Sequence, residues 1–112
     1  MPPIDGDLLR GHLQTLILSA LRRGDAHGFE LLKRLEDAGS GALQLKEGSL
    51  YPALYRLELD GAISAYWGLS DNNRKAKYYE ITKRGRKLIA EQHEAWDRLS
   101  AAVDRVLARQ PQ

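Results

Sequence analysis

The sequence predicts a mainly α fold with one small β-hairpin, and three observations predict it. Apolar residues recur at the three-to-four spacing of a helical face in four separate stretches. Two short runs rich in Ile, Tyr and Trp flank a single cluster of turn formers. Glycine-rich breaks divide these pieces into the order helix, helix, helix, hairpin, helix. With 112 residues the chain holds one small domain, and 43% hydrophobic with 29% charged residues is the composition of a chain that folds. No apolar run approaches the roughly 20 residues of a membrane span. The opening residues lack a basic, apolar, small-residue signal pattern, so the expectation is a cytoplasmic protein with no membrane partner. There are no cysteines, which excludes disulfides, thiol catalysis and thiolate metal sites.

The elements follow in order. Met1 to Gly6 holds Pro2, Pro3 and Gly6 and reads as a frayed end. Asp7 is placed to cap a first helix whose face is Leu9, Leu13, Leu16, Ala20 and Leu21, stopped by Gly24. Asp25 is placed to cap a second, His27 to about Ala38, with Phe29, Leu32 and Leu35 on its apolar face, Leu31 beside them, and Gly39-Ser40-Gly41 ending it. A third helix starts near Gly48 and ends before Gly61. Pro52 fits it only near the start, where amides have no intrahelical acceptor. Ala62 to Trp67 and Lys77 to Ile81 read as strands, joined by Gly68 to Asn73. Trp67 is expected in the core or at the base of the hairpin.

Thr82 can cap a last helix, Lys83 to about Ala108, with Ile89, Trp96, Leu99, Val103 and Val106 at heptad-like spacing and Gln92 interrupting them. A helix of that length spans roughly 39 Å, more than so small a domain covers. Its stripe is read as a dimerisation arm, with packing back on the first helix as the alternative. The division expected is residues 1–82 for a DNA-binding unit and 83–112 for a dimerisation helix.

The formal charge is only +2, but it is unevenly placed. Residues 1–73 carry seven basic and ten acidic groups, and residues 88–112 three and four. Residues 74–87 carry seven basic groups (Arg74, Lys75, Lys77, Lys83, Arg84, Arg86 and Lys87) against Glu80 alone. Such a run suits a phosphate surface, because Lys and Arg release condensed counterions; a merely solvated face is the plainer reading. The cluster Lys83, Arg84, Arg86 and Lys87 sits at a helix start, where the dipole disfavours cations. Nearby phosphate or pairing with acids of the body would offset that cost.

Three helices, a hairpin and an extension are the order of a winged helix-turn-helix, in which two helices brace a third that enters the major groove while the wing reaches beside it. The third helix has the two faces this needs. Leu50, Ala53, Leu54 and Leu57 cluster on one side at 100° per residue. Gly48, Pro52, Tyr55 and Arg56 lie opposite, with Ser49 and Tyr51 on the flanks. Gly48 and Ser49 permit close approach, the tyrosines can donate to phosphate, and Arg56 can reach phosphate or a guanine edge. Leu59 also lies on the exposed side, where packing beneath the wing would cover it.

These residues closely resemble the PadR family of bacterial transcriptional regulators. The likeness runs through Leu8 to Gly11, His27-Gly28-Phe29-Glu30-Leu31, the run from Glu47-Gly48-Ser49-Leu50-Tyr51-Pro52 to Glu58, Trp67-Gly68, and Arg74 to Gly85 with its Lys77-Tyr78-Tyr79. The resemblance implies a homodimeric winged-helix repressor released by a small molecule or stress signal. It places DNA contacts on Ser49, Tyr51 and their neighbours, and on Asn73, Arg74, Lys75 and Lys77 of the wing. It also implies a dimer built from the first and last helices, hence Leu9, Leu13 and Leu16 beside the stripe of the arm. The short C-terminal part resembles a compact subfamily in which an apolar cleft between subunits binds flat drug-like molecules. Trp96 would suit such a cleft by stacking, and plain interface packing is its other reading.

Other functions find little support. No nucleophile has a base motif, no glycine-rich phosphate loop exists, and Ser49 has no evident histidine partner, so an enzyme is not expected. His12, His27 and His93 show no metal-ligand spacing, and no cofactor is implied. The rival from another class is a winged-helix protein-interaction module without specific DNA binding, since fold alone does not fix function. The small, polar face of the third helix argues against it.

Overall fold

The computed structural model describes residues 12–41, 43 and 45–108. Seven elements follow one another: α1 (Leu13–Leu21), β1 (Ala26–His27), α2 (Gly28–Ala38), α3 (Glu47–Leu59), β2 (Ile63–Leu69), β3 (Lys75–Ile81) and α4 (Lys83–Ala108). The strands form one antiparallel sheet in the order β1-β3-β2. This is the winged helix-turn-helix with a long last helix.

The helices close on the base of the sheet because each brings one apolar stripe to it. Ile17, Leu18 and Leu21 of α1, Leu31 and Leu35 of α2, and Leu50, Leu54 and Leu57 of α3 meet Ile63 and Tyr79 in one buried cluster. The expected start of α1, with its Asp7 cap and Leu9, lies outside the described residues.

Several expectations are corrected by the backbone. Asp25 does not cap α2, because the chain is still extended at Ala26–His27, where it pairs with Tyr79 and Tyr78 of β3. His27 is the cap instead. Its Nδ1 accepts the Glu30 amide at 3.2 Å, and its own amide donates to Glu30 Oε1 at 3.3 Å. That is a capping box with histidine in the usual place of serine. Phe29 is 66% exposed, for the inward stripe of α2 is Gly28, Leu31, Leu32 and Leu35. α3 begins one residue before the expected start, after Lys46. Pro52 nevertheless lies past the free amides, since the Leu50 amide already donates to Lys46 O at 3.0 Å. The strands run on to Leu69 and back from Lys75, leaving a shorter tip. There Ser70 N donates to Arg74 O and Asn73 N to Ser70 O, both at 2.8 Å, with Asn73 at φ 57°. Asparagine tolerates that left-handed conformation better than most residues.

Thr82 caps α4 as expected, its Oγ1 accepting the Gly85 amide at 3.1 Å. Gly85 is buried against the strand that opens the wing. A Cβ there would lie 2.8 Å from Ile81 Cγ1 and 3.0 Å from the Ala62 carbonyl carbon, with the carbonyl oxygen nearer still. Only glycine lets the first turn of α4 rest directly on this backbone.

Gly85→Ala should therefore overpack a site that cannot yield, at a cost of about 1–3 kcal/mol. For a domain of this size that lowers the melting temperature by several degrees per kcal/mol. Thermal unfolding followed by circular dichroism checks it; an unchanged midpoint would show that the two backbones can part freely.

Candidate nucleic-acid interface

α3 turns Leu50, Ala53, Leu54 and Leu57 into the core and leaves Gly48, Ser49, Tyr51, Pro52, Tyr55 and Arg56 outside. The exposed start is bare: a Cβ on Gly48 would meet nothing within 4 Å. Among the described residues glycine there serves no packing need, and it leaves the helix start open to close approach. Leu59 is 70% exposed, so no wing covers it. The far end of α3 is tied down. Lys77 Nζ lies 3.4 Å from Glu58 Oε1, and Arg84 Nη2 lies 3.0 Å from Asp60 Oδ1. Each such exposed pair contributes little alone, at most about 1 kcal/mol.

The basic segment thus divides by task. Arg74 and Lys75 stand exposed at the wing tip, with Asn73 in the turn before them. Lys77 and Arg84 are engaged with the acids of α3, so pairing with the body accounts for one member of the second cluster. Lys83, Arg86 and Lys87 remain exposed around the start of α4. Lys75 and Lys77 share one strand face, and that face looks toward α3, since Lys77 reaches Glu58. The strand that leads back from the wing tip therefore lies against the end of α3 at Glu58.

Trp67 corrects another expectation. It is 63% exposed, and Lys75 Nζ lies over its ring at 5.1 Å from the centroid. On β2 the residues Ile63, Ala65, Trp67 and Leu69 alternate onto the face that begins in the core. The strand outruns the body, so only the first two find cover.

The other face of the wing carries an aromatic stack that the sequence pattern did not disclose. The Tyr66 and Tyr78 rings are stacked with centroids 5.7 Å apart, and His27 meets Tyr78 edge-on at 5.4 Å. Tyr66 Oη donates to Asp25 Oδ2 at 2.6 Å, and Tyr78 Oη to Leu69 O at 3.0 Å. The hydrogen bond to the Asp25 carboxylate, helped by burial, pushes the Tyr66 hydroxyl up to about 12. Burial raises the Tyr78 hydroxyl as well. This stack anchors the wing to the start of α2.

A family model for PadR-like transcriptional regulators matches residues 17–91. The chain is 30% identical to the transcriptional regulator Rv3488 of Mycobacterium tuberculosis, over 84% of each protein. A solved transcriptional regulator from Clostridium thermocellum superposes with a TM-score of 0.81 at 33% identity, covering 91% of this chain and 96% of that one. A PadR-like transcriptional regulator from Bacillus cereus does so at 0.82 and 30%, covering 94% and 100%. The chain belongs to the PadR-like family of transcriptional regulators. This family consists of DNA-binding regulators and not of enzymes.

In this PadR-like chain a second feature lies away from the wing. α1 and α4 flank a groove of about 630 Å³ lined in part by His12, Thr15, Leu16, Leu43, Trp96 and Leu99. Thr15 Oγ1 donates to Gln92 Oε1 at 2.7 Å, which explains the polar residue in the apolar stripe. The Trp96 ring is half exposed and meets His12 edge-on at 5.2 Å. Leu13 and Ile89 are sealed into the chain's own core at 4% and 2% exposure, so little of either is left for a second copy. Leu16 is half-buried, whereas Leu99, Val103 and Val106 are exposed. Leu107, which the heptad reading omitted, is also exposed. The first turns of α4 thus pack on the body, as the alternative reading expected, and its last ones stand clear. Among the described residues no helix is long and apolar enough to cross a membrane, and no group of three or more His, Asp and Glu is placed to hold a metal.

The raised Tyr66 hydroxyl sets a sign for pH dependence. Its folded value lies above the unfolded value of 10, so its contribution is present below pH 10 and is lost as pH rises toward 12. The stability gap between the parent and Tyr66→Phe should be constant below pH 10 and close above it. Denaturant unfolding of both proteins across that range is the check; a gap that widens with pH would contradict the bond to Asp25.

Proposed function

We propose that this chain is a homodimeric repressor that reads two half-sites about one helical turn, roughly 34 Å, apart. The observation that carries the reading is the shared outlook of α3 and the wing. Lys77 reaches the far end of α3 from the strand face that also presents Lys75, and the start of that helix is exposed and unencumbered. In this reading Gly48, Ser49, Tyr51, Pro52, Tyr55 and Arg56 meet the major groove, while Asn73, Arg74 and Lys75 meet the backbone beside it. Lys77, held by Glu58, contributes less. Leu99, Val103 and Val106 meet a second copy, with Leu16 and Trp96 at the margin. A planar hydrophobic effector stacks on Trp96 in the groove and lowers affinity for the operator.

Fluorescence anisotropy against the region upstream of the chain's own gene tests the DNA reading. Binding at least about a thousandfold tighter than to random duplex is expected. Lys75→Ala should weaken binding to all sequences alike and flatten the salt slope by about one unit. Lys77→Ala should change it less. Planar aromatic compounds should release the DNA from the parent but not from Trp96→Ala. Affinity no better than for random duplex would defeat the reading.

The dimer has its own test. Val103→Asp places a charge on the exposed stripe without touching the core. Sedimentation should find a dimer for the parent and a folded monomer for the variant at micromolar concentration. Equal masses for the two would remove this face from the interface.

A further inference from the structure

Gly28 opens α2, and its own backbone does not ask for glycine. Gly24, Gly41 and Gly61 take positive φ values of 140°, 82° and 79°, but Gly28 does not. At a helical position with ordinary φ, alanine is the more stabilising residue, because it restricts the unfolded chain and loses less on ordering. The demand comes from Tyr51 of α3. A Cβ built on Gly28 would lie 2.8 Å from Tyr51 Cζ and 2.9 Å from Cε1, with the hydroxyl oxygen closer again. The Tyr51 ring rests on the bare backbone of α2.

This seat fixes where the Tyr51 ring lies. Tyr51 is 44% exposed against 62% for Tyr55 one turn on, so part of its surface is spent on this contact. The helix itself is held by its buried stripe of Leu50, Ala53, Leu54 and Leu57, and what Gly28 governs is the ring. Tyr51 stands between the bare Gly48 and Ser49 on one side and the exposed Tyr55 and Arg56 on the other, so a displaced ring changes the middle of that face.

We propose that Gly28 is a specificity-determining position: by leaving room for the Tyr51 ring it sets where that ring stands on the exposed face of α3 and so the choice of sequence. Gly28 is buried and acts through Tyr51, which makes it a positioning residue. The specificity half of this inference rests on the DNA-binding reading above, while the packing half stands without it.

A double-mutant cycle with two readouts tests both halves. Gly28→Ala should lower the melting temperature in the parent and leave it unchanged or raise it in a Tyr51→Ser background, where the ring is gone. A rise in the parent background, or the same loss in both, overturns the joint. For specificity, the duplex that the parent selects best from a randomised pool is compared with random duplex, well below the melting range. Gly28→Ala should cut that preference about tenfold or more while random-duplex affinity stays within about twofold. Ile17→Val, a core change in α1, controls for lost stability and should keep the preference. A Gly28→Ala protein that retains the parent's full preference overturns the proposal. A parent with no preference at all defeats the DNA-binding reading itself, a result distinct from the one that defeats the role of Gly28.

Discussion

The backbone contact between Gly85 and Ala62 is the constraint on which the rest of the structure depends. Ala62 leads from α3 into the wing, and Gly85 leads from the wing into α4. The two chain crossings are knotted by three hydrogen bonds: Thr82 N to Ala62 O at 3.0 Å, Thr82 Oγ1 to Gly61 O at 2.6 Å, and Gly85 N to Thr82 Oγ1 at 3.1 Å. Thr82 is at once the end of the hairpin and the cap of α4. Because one residue does both, the direction of the wing and the direction of α4 are set together. The approach is too close for any side chain, so the geometry has no slack to lose.

Charge is organised around the same knot. The basic segment begins at the wing tip and passes through it, and the acids that meet it, Glu58 and Asp60, lie at the end of α3 just before it. Neither pair is buried, and neither would hold the fold by itself. Their value is positional, since they span from α3 to β3 and to α4 across a turn that is already fixed. The cations left over are Arg74 and Lys75 at the tip and Lys83, Arg86 and Lys87 around the start of α4. A near-neutral total is thus compatible with a locally positive surface.

Much of this was legible in the sequence, and what was not has physical reasons. The core stripe of α3, the Thr82 cap and the full length of α4 follow from periodicity and capping chemistry, which are local; on α1 the expected face took Leu16, which is only half-buried, and missed Ile17 and Leu18, which are fully buried. β1 has two residues and no pattern of its own; it exists because β3 offers an open edge. That edge moved the cap from Asp25 to His27 and freed Asp25 to accept from Tyr66. Phe29 and Trp67 were misplaced for one shared reason. Residue type says core, but burial is decided by whether the body reaches that far, and at the second residue of α2 and the outer half of β2 it does not. The exposed face of α3 was readable because its inward side is so plainly apolar. The seat of Tyr51 on Gly28 was not, since it joins two helices through a side chain that is absent.

The exposed apolar residues fall into two kinds, and the difference bears on what each can meet. Trp67 and Leu69 stand on the wing face that carries Lys75 and Lys77, with Lys75 laid over the indole. An aromatic face under a cation keeps its charge beside it when desolvated, which suits a polyanion with apolar sugars between its phosphates. Leu99, Val103, Val106 and Leu107 stand on α4 at helical spacing, and the charged residues among them, Asp104 and Arg105, are of opposite sign. A stripe of that composition gains little from a polyanion and much from a like stripe. The chain therefore separates two kinds of exposed surface along one continuous path. Cation-bearing aromatic surface lies before the Thr82–Gly85 knot, and aliphatic surface lies two to three dozen ångströms of helix beyond it, at about 1.5 Å per residue.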